Sequence, residues 1–220
     1  MSYVRGLSGD SPFVDLFGDL PISALLAYVH GSWLAYADIY RHSEPSFQKR
    51  TEPQLTQALA AYLRRRQDAG EQPFAGDFFG ELADYILDGT TGLPKCIART
   101  DIEWRLYGMP GFIIEFKILD GRPSRRQKYL LDGVMRFVIG RYGSAATAGA
   151  MFALLRKTAA KDPNLIVVEL EKNGSGLQCA GVKKNSELMP AIAAFDTVHQ
   201  RKSPHATPFQ LAHLFVTLPS

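Results

Sequence analysis

A chain of 220 residues, 46% hydrophobic and 21% charged, has the make-up of one generous globular domain, or of one domain with an appendage. It can bury a core without disulfides or a structural metal, and whole-chain disorder, collagen-like repeats and coiled coils are excluded. A net charge of +3 is too small by itself to mark a nucleic-acid binder, so such a reading must rest on local clustering. Cys96 and Cys179 lack metal-like spacing, which argues against a disulfide scaffold or zinc module and for the reducing cytosol. No run approaches the roughly 20 apolar residues of a membrane span. Residues 1–19 carry Arg5, Asp10, Asp15 and Asp19 and no continuous apolar core, so no signal peptide is expected there.

In chain order, residues 1–20 read as an irregular leader and 21–42 as a helix carrying Leu25, Leu26, Val29, Trp33 and Tyr36. A second helix starts at Thr51, which forms a capping box with Gln54, and Pro53 suits its first turn. Leu55, Leu59, Tyr62 and Leu63 make its stripe, and Arg64, Arg65 and Arg66 suit the negative end of its dipole. Between Gly-rich breaks, 67–95 holds one short apolar segment, Phe78 to Leu87. From Ile97 the period becomes two, predicting a strand over 100–106, a turn at Gly108, Pro110 and Gly111, and a nearly all-apolar central strand over 112–118. A helix over 125–141 follows, with Gln127, Leu131, Val134 and Val138 on its inward face. Strands are expected at 151–155, 165–170, 177–182 and 210–218, and a short helix near 186–198. The whole describes an α/β protein with a mixed central sheet flanked by helices.

The chemistry concentrates in the apolar strand. Glu115 and Lys117 stand two apart and share a face, among Ile113, Ile114, Phe116 and Ile118, which favour burial. An acid and an amine there cost several kcal/mol unless they pair or hold an ion. They could also sit at the strand's exposed end. Asp101 and Glu103 share a face of the preceding strand, and antiparallel pairing brings Asp101 close to Glu115. Two carboxylates with a lysine beside them make an oxygen site for a hard divalent cation such as magnesium. Alternatively Asp101 is a strand-start residue and Glu103 a solvent-facing cross-strand partner, the favoured reading for Glu103. Glu52, three residues before Leu55, adds a third acid, or is an ordinary N-terminal acid favoured by the helix dipole. Gln127 can reach a metal-bound water or a phosphate, or cap buried carbonyls.

This set resembles the PD-(D/E)xK nuclease superfamily, with its restriction-endonuclease-like fold. The matching residues are Glu52, Asp101, the triplet Glu115-Phe116-Lys117 and Gln127; Thr100 stands where the motif has Pro. The resemblance covers about residues 50–155. It implies an N-terminal helical extension over 1–48 and a nuclease-like domain over 49–220. It implies a Mg2+- or Mn2+-dependent endonuclease that hydrolyses phosphodiester bonds, in DNA before RNA. Asp101, Glu115 and Glu52 would serve the metal, and Lys117 and Gln127 would be catalytic. It also implies bacterial or phage biology such as restriction or antiviral defence, in the cytoplasm. The rival within the same fold is a catalytically inactive nucleic-acid-binding or assembly subunit of a larger defence complex. An unrelated α/β protein, with Glu115 and Lys117 paired structurally, is the second rival.

Arg122, Arg125, Arg126 and Lys128 follow the Glu115 strand, where a phosphate backbone would run, with Arg136 and Arg141 further on. A solvated basic face is the commoner fate of such runs. No Walker A loop, nucleophile elbow or H-E-x-x-H motif is present, and His199 and His213 read as structural. The aromatics of the first 80 residues, Trp33 and Tyr36 among them, read as a helical cap on the sheet, or else as a homodimer or partner-docking face.

Overall fold

The computed structural model describes residues 22–81, 83–87, 94–143, 145–205 and 207–220. The expected leader over 1–20 lies outside them. Helix α1 spans Ile22–Ile39 and α2 spans Glu52–Asp68. The capping box forms at Thr51, whose N–H donates to Gln54 Oε1 at 2.8 Å. Leu55, Leu59 and Leu63 are fully buried as the stripe requires.

A seven-stranded mixed sheet organises the molecule. Its strands are β1 (Asp77–Gly80), β4 (Ile102–Arg105), β5 (Phe112–Leu119), β6 (Ala148–Leu155), β9 (Phe209–Thr217), β8 (Phe195–His199) and β7 (Cys179–Lys183), in that spatial order. β5, β6 and β9 are parallel; the pairs flanking them on either side are antiparallel. β2 (Ala83–Leu87) and β3 (Pro94–Arg99) form a separate hairpin. All eight residues of β5 are buried, as the apolar run predicts for a strand covered on both faces.

The alternation of side chains divides the core. Ile114, Phe116, Ile118, Phe152 and Leu154 face α1 and α2. Trp33 meets Phe152 at 6.3 Å and Phe47 at 6.0 Å between ring centroids, so α1 shares its core with the sheet and the aromatics named above act as its cap. On the other face Ile113, Leu119, Met151, Ala153 and Leu155 pack against the helical segment after β5 and against α5 (Asp162–Asn173).

Three expectations are corrected. Residues 165–170, expected as a strand, lie in α5: Ile166 and Leu170, four apart, are buried, while Leu165 and Val168 are each 42% exposed. A six-residue apolar run does not distinguish strand from helix, and Pro163 at the first turn was the better signal. The short helix near 186–198 is absent; turns lead into β8 instead. Asp196 explains this, because its Oδ2 accepts from the N–H groups of Glu187 (2.7 Å) and Leu188 (3.1 Å), replacing helical partners. Finally, the 125–141 helix is composite: α3 (Pro123–Lys128), a π turn (Tyr129–Val134) and α4 (Met135–Val138). The wider turn rotates the faces, so Leu131 is 49% exposed and Gln127 is exposed rather than inward, while Tyr129, Leu130, Gly133 and Val134 are buried.

Candidate functional site

β4 begins only at Ile102, opposite Ile114. One step beyond, Asp101 leaves the ladder in a bend that keeps it beside Glu115 and Phe116. Past that point, among the described residues, the edge of β5 has no partner strand. Its alternate amides on this side, Phe116 and Ile118, would be left bare. Two carboxylates take them: Asp101 Oδ2 accepts from Phe116 N–H at 2.7 Å, and Glu52 Oε2 from Ile118 N–H at 2.9 Å. The missing strand is thus replaced by acids from the start of β4 and the first turn of α2. Both are anchored by the backbone of the strand that carries Glu115 and Lys117.

Lys117 Nζ donates to Glu115 Oε1 at 2.5 Å, Glu52 Oε1 at 3.2 Å and the carbonyl of Phe116 at 2.9 Å. Burial pushes its ammonium down, but Glu115, Glu52 and Asp101 outweigh burial and hold its pKa above the usual lysine value. Glu115 is fully buried. Its Oε1 also accepts from Arg136 Nη1 at 3.2 Å, and Arg136 donates to the Tyr142 hydroxyl at 2.6 Å. Tyr142 is buried, and burial together with the Glu115 carboxylate pushes its phenol up. Asp101 is raised to about 8, first by burial and then by Glu115, against the lowering effects of Lys117 and the Phe116 amide.

Glu52, Asp101, Glu115 and Lys117 therefore come together. Glu103 does not join them: it is buried, not solvent-facing, and pairs with Arg105 Nε at 2.6 Å. Its carboxylate lies where a Cβ on Gly111 would stand, 1.9 Å from Oε1, so a side chain there would displace the Glu103 carboxylate. Gln127 stays on the surface. In the basic run, Arg122 pairs with Asp120, Arg125 Nε lies 3.5 Å from the same carboxylate, and Arg126 Nη1 bonds Asp162 Oδ1 at 2.7 Å. Arg126 is thus a structural tie between α3 and α5, while Arg122 and Lys128 are exposed. Tyr142 was missed as a site residue, and Arg136 was read only as part of the basic run; the signal for its place in the site was a lone arginine between Met135 and Phe137 in an apolar stretch.

Two carboxylates, Asp101 and Glu115, could offer oxygens to a hard cation. Glu115 Oε2 is buried without a hydrogen-bond partner among the described residues. A carboxyl held protonated beside a carboxylate marks surplus negative potential that a cation relieves. Among the described residues no group of three or more His, Cys, Asp or Glu side chains has metal-holding geometry. A cation here would rest on the Asp101–Glu115 pair, with water and substrate oxygens completing the shell, as magnesium commonly accepts. Both Glu52 oxygens accept hydrogen bonds, one from Lys117 and one from the Ile118 amide.

A second buried polar set lies under β8 and β9. His199 Nδ1 is 2.8 Å from the Leu177 carbonyl and must donate to it, so its Nε2 accepts from Thr197 at 2.8 Å. Thr197 in turn accepts from His213 Nε2 at 2.9 Å, and His213 Nδ1 accepts from the Tyr129 hydroxyl at 2.6 Å. With both rings neutral, each of these donors is used; burial lowers His213 well below the usual range and His199 to about 4. Both are fully buried.

No family model matches the chain, and neither does any curated protein or solved structure. Among the described residues no helix is long and apolar enough to cross a membrane.

Proposed function

We propose that this protein is a divalent-metal-dependent nuclease of the PD-(D/E)xK type, hydrolysing phosphodiester bonds in DNA. One observation carries the reading: the Asp101 carboxylate sits on the Phe116 amide beside Glu115, with Lys117 hydrogen-bonded to Glu115 and one Glu115 oxygen buried and unpartnered among the described residues. The chain order of acid-bearing helix, Asp strand, Glu-x-Lys strand and basic helix leading to a parallel strand supports it, as does the mixed sheet.

Bound at Asp101 and Glu115, magnesium or manganese would lower the pKa of a coordinated water and stabilise charge on a phosphate oxygen. The chain's own residues prepare that reaction. Asp101 would give up its proton on serving as a ligand. Lys117, kept protonated by three carboxylates, orients the attacking water and offsets the charge developing on the phosphate, and does not serve as the resting base. Glu52 fixes the ammonium's direction. Arg122 and Lys128, exposed beyond the site, meet the phosphate backbone. A role in restriction or antiviral defence rests on the resemblance alone.

The inactive-subunit reading has one observation in its favour: Glu115 Oε1 is already shared by two cationic side chains. Incubating plasmid, linear duplex, single-stranded DNA and RNA with magnesium, manganese or EDTA separates the two. Metal-dependent cutting by the wild type, lost in folded Asp101→Asn and Glu115→Gln, supports the nuclease. A folded protein that binds nucleic acid but cuts none of these substrates supports the inactive subunit.

A further inference from the structure

We infer that Arg136 is the residue of this site that takes the non-bridging oxygens of the scissile phosphodiester, and that it couples phosphate binding to metal binding through Glu115. The inference rests on the nuclease reading above. Neither the motif nor the basic run singles out this arginine; its position in the fold does.

Arg136 touches the most buried part of the site while keeping contact with solvent. Its side chain is 37% exposed, yet Nη1 reaches the fully buried Glu115 and the buried Tyr142 hydroxyl. Of the two cations on Glu115 it is the more exposed, 37% against 10% for Lys117, and so the one an incoming anion can reach. The π turn puts it there. A π turn inserts about one extra residue, which turns everything after it by about 100°. Without it, position 136 would not face Glu115. The same turn packs against the lysine: a Cβ on Gly133 would lie 2.5 Å from Met151 Cε and 3.8 Å from Lys117 Cε. One irregular turn therefore sits over the Lys117 stem and delivers Arg136 on the next. Its basic neighbours hold other carboxylates, Arg122 and Arg125 that of Asp120 and Arg126 that of Asp162, whereas Arg136 holds Glu115 itself.

The distribution of hydrogen bonds on Glu115 gives the coupling. Oε1 accepts from both Lys117 and Arg136, whereas Oε2 has no partner among the described residues. A divalent cation on Glu115 repels Arg136 and weakens that bond. The freed guanidinium presents parallel N–H groups suited to two phosphate oxygens. Conversely, a phosphodiester that draws Arg136 away unmasks Glu115 for the cation. Each ligand thus favours the other, by the same factor in either direction.

Two binding measurements that involve no catalysis test this. Manganese alone is titrated calorimetrically, and a fluorescent DNA oligonucleotide is titrated by anisotropy in EDTA, for wild type, Arg136→Gln and Arg136→Lys. The expected result has opposite signs: Arg136→Gln weakens oligonucleotide binding about tenfold and tightens manganese binding several-fold, because a competing cation has gone. Arg136→Lys falls between, keeping charge but not the planar fork. If oligonucleotide binding is unchanged in both variants, or if manganese binding weakens together with thermal stability, Arg136 merely clamps Glu115 and the inference fails. If wild type takes up both ligands, the nuclease reading survives that failure; if it takes up neither, both are overturned.

Discussion

Replacing Asp101 by asparagine isolates the electrostatic cost stored in the site. In the metal-free protein the Asp101 carboxyl is raised from 3.8 to about 8. Between those values the folded state keeps a proton that the unfolded chain has lost, so stability falls as pH rises through this window. A tenfold difference in proton affinity between the two states is worth about 1.4 kcal/mol, which sets a ceiling on the order of 5 kcal/mol for the loss completed by about pH 8. Asparagine mimics the protonated acid: its carbonyl can still accept from the Phe116 amide, and it has no charge to bury. Urea melts in EDTA from about pH 5 to about pH 9 should show variant and wild type nearly equal at the acid end. The variant should be the more stable by a few kcal/mol at the alkaline end. Manganese should restore the wild type at high pH and move the variant much less, since only the wild type offers a carboxylate at position 101 beside that of Glu115. A stability difference that does not change with pH, or a wild type that stays ahead above about pH 8, would refute the assignment of Asp101 as a strained acid beside Glu115.

Other perturbations follow from the same geometry. Lys117→Met leaves the buried Glu115 paired with Arg136 but without its lysine, and should cost about 3 kcal/mol in denaturant melts; adding Glu115→Gln should recover most of that loss. Gly133→Ala drives a methyl into Met151 and toward Lys117, with an expected cost of about 1–3 kcal/mol and partial rescue by Met151→Ala. Tyr129→Phe removes the donor to His213 Nδ1 and should cost about 1–3 kcal/mol by thermal melting, with no change in manganese affinity. His199 falls from 6.5 to about 4 on folding, so stability should also drop as pH falls through that interval, when the unfolded chain gains a proton that the folded one refuses. His199→Gln should flatten that acid limb in the same melts.

Much of the site was legible from spacing. A period of two places Glu115 and Lys117 on one face wherever the strand lies, and a short turn between two strands makes antiparallel pairing of Asp101 with Glu115 the simplest outcome. Thr51 and Gln54 likewise mark the start of α2 through bonds that span three residues. The shared face and the cap are short-range consequences of backbone geometry, and the folded chain keeps them; Asp101 lies near Glu115 but leaves the ladder and turns its carboxylate onto the Phe116 amide. The exposure of Gln127 follows instead from a π turn, whose wider hydrogen-bonding pattern leaves no mark in a count of apolar positions. The pairing of Arg126 with Asp162 joins residues 36 apart in sequence, and that of Glu52 with Lys117 joins residues 65 apart. Residues 165–170 could form either element until the two sides of the run were given different surroundings, core for Ile166 and solvent for Leu165. Periodicity and capping are properties of neighbouring residues, so the chain states them wherever it is read. Sheet register, the bare edge of β5 and the desolvation that raises Asp101 depend on segments far apart in sequence, and they exist only once those segments pack.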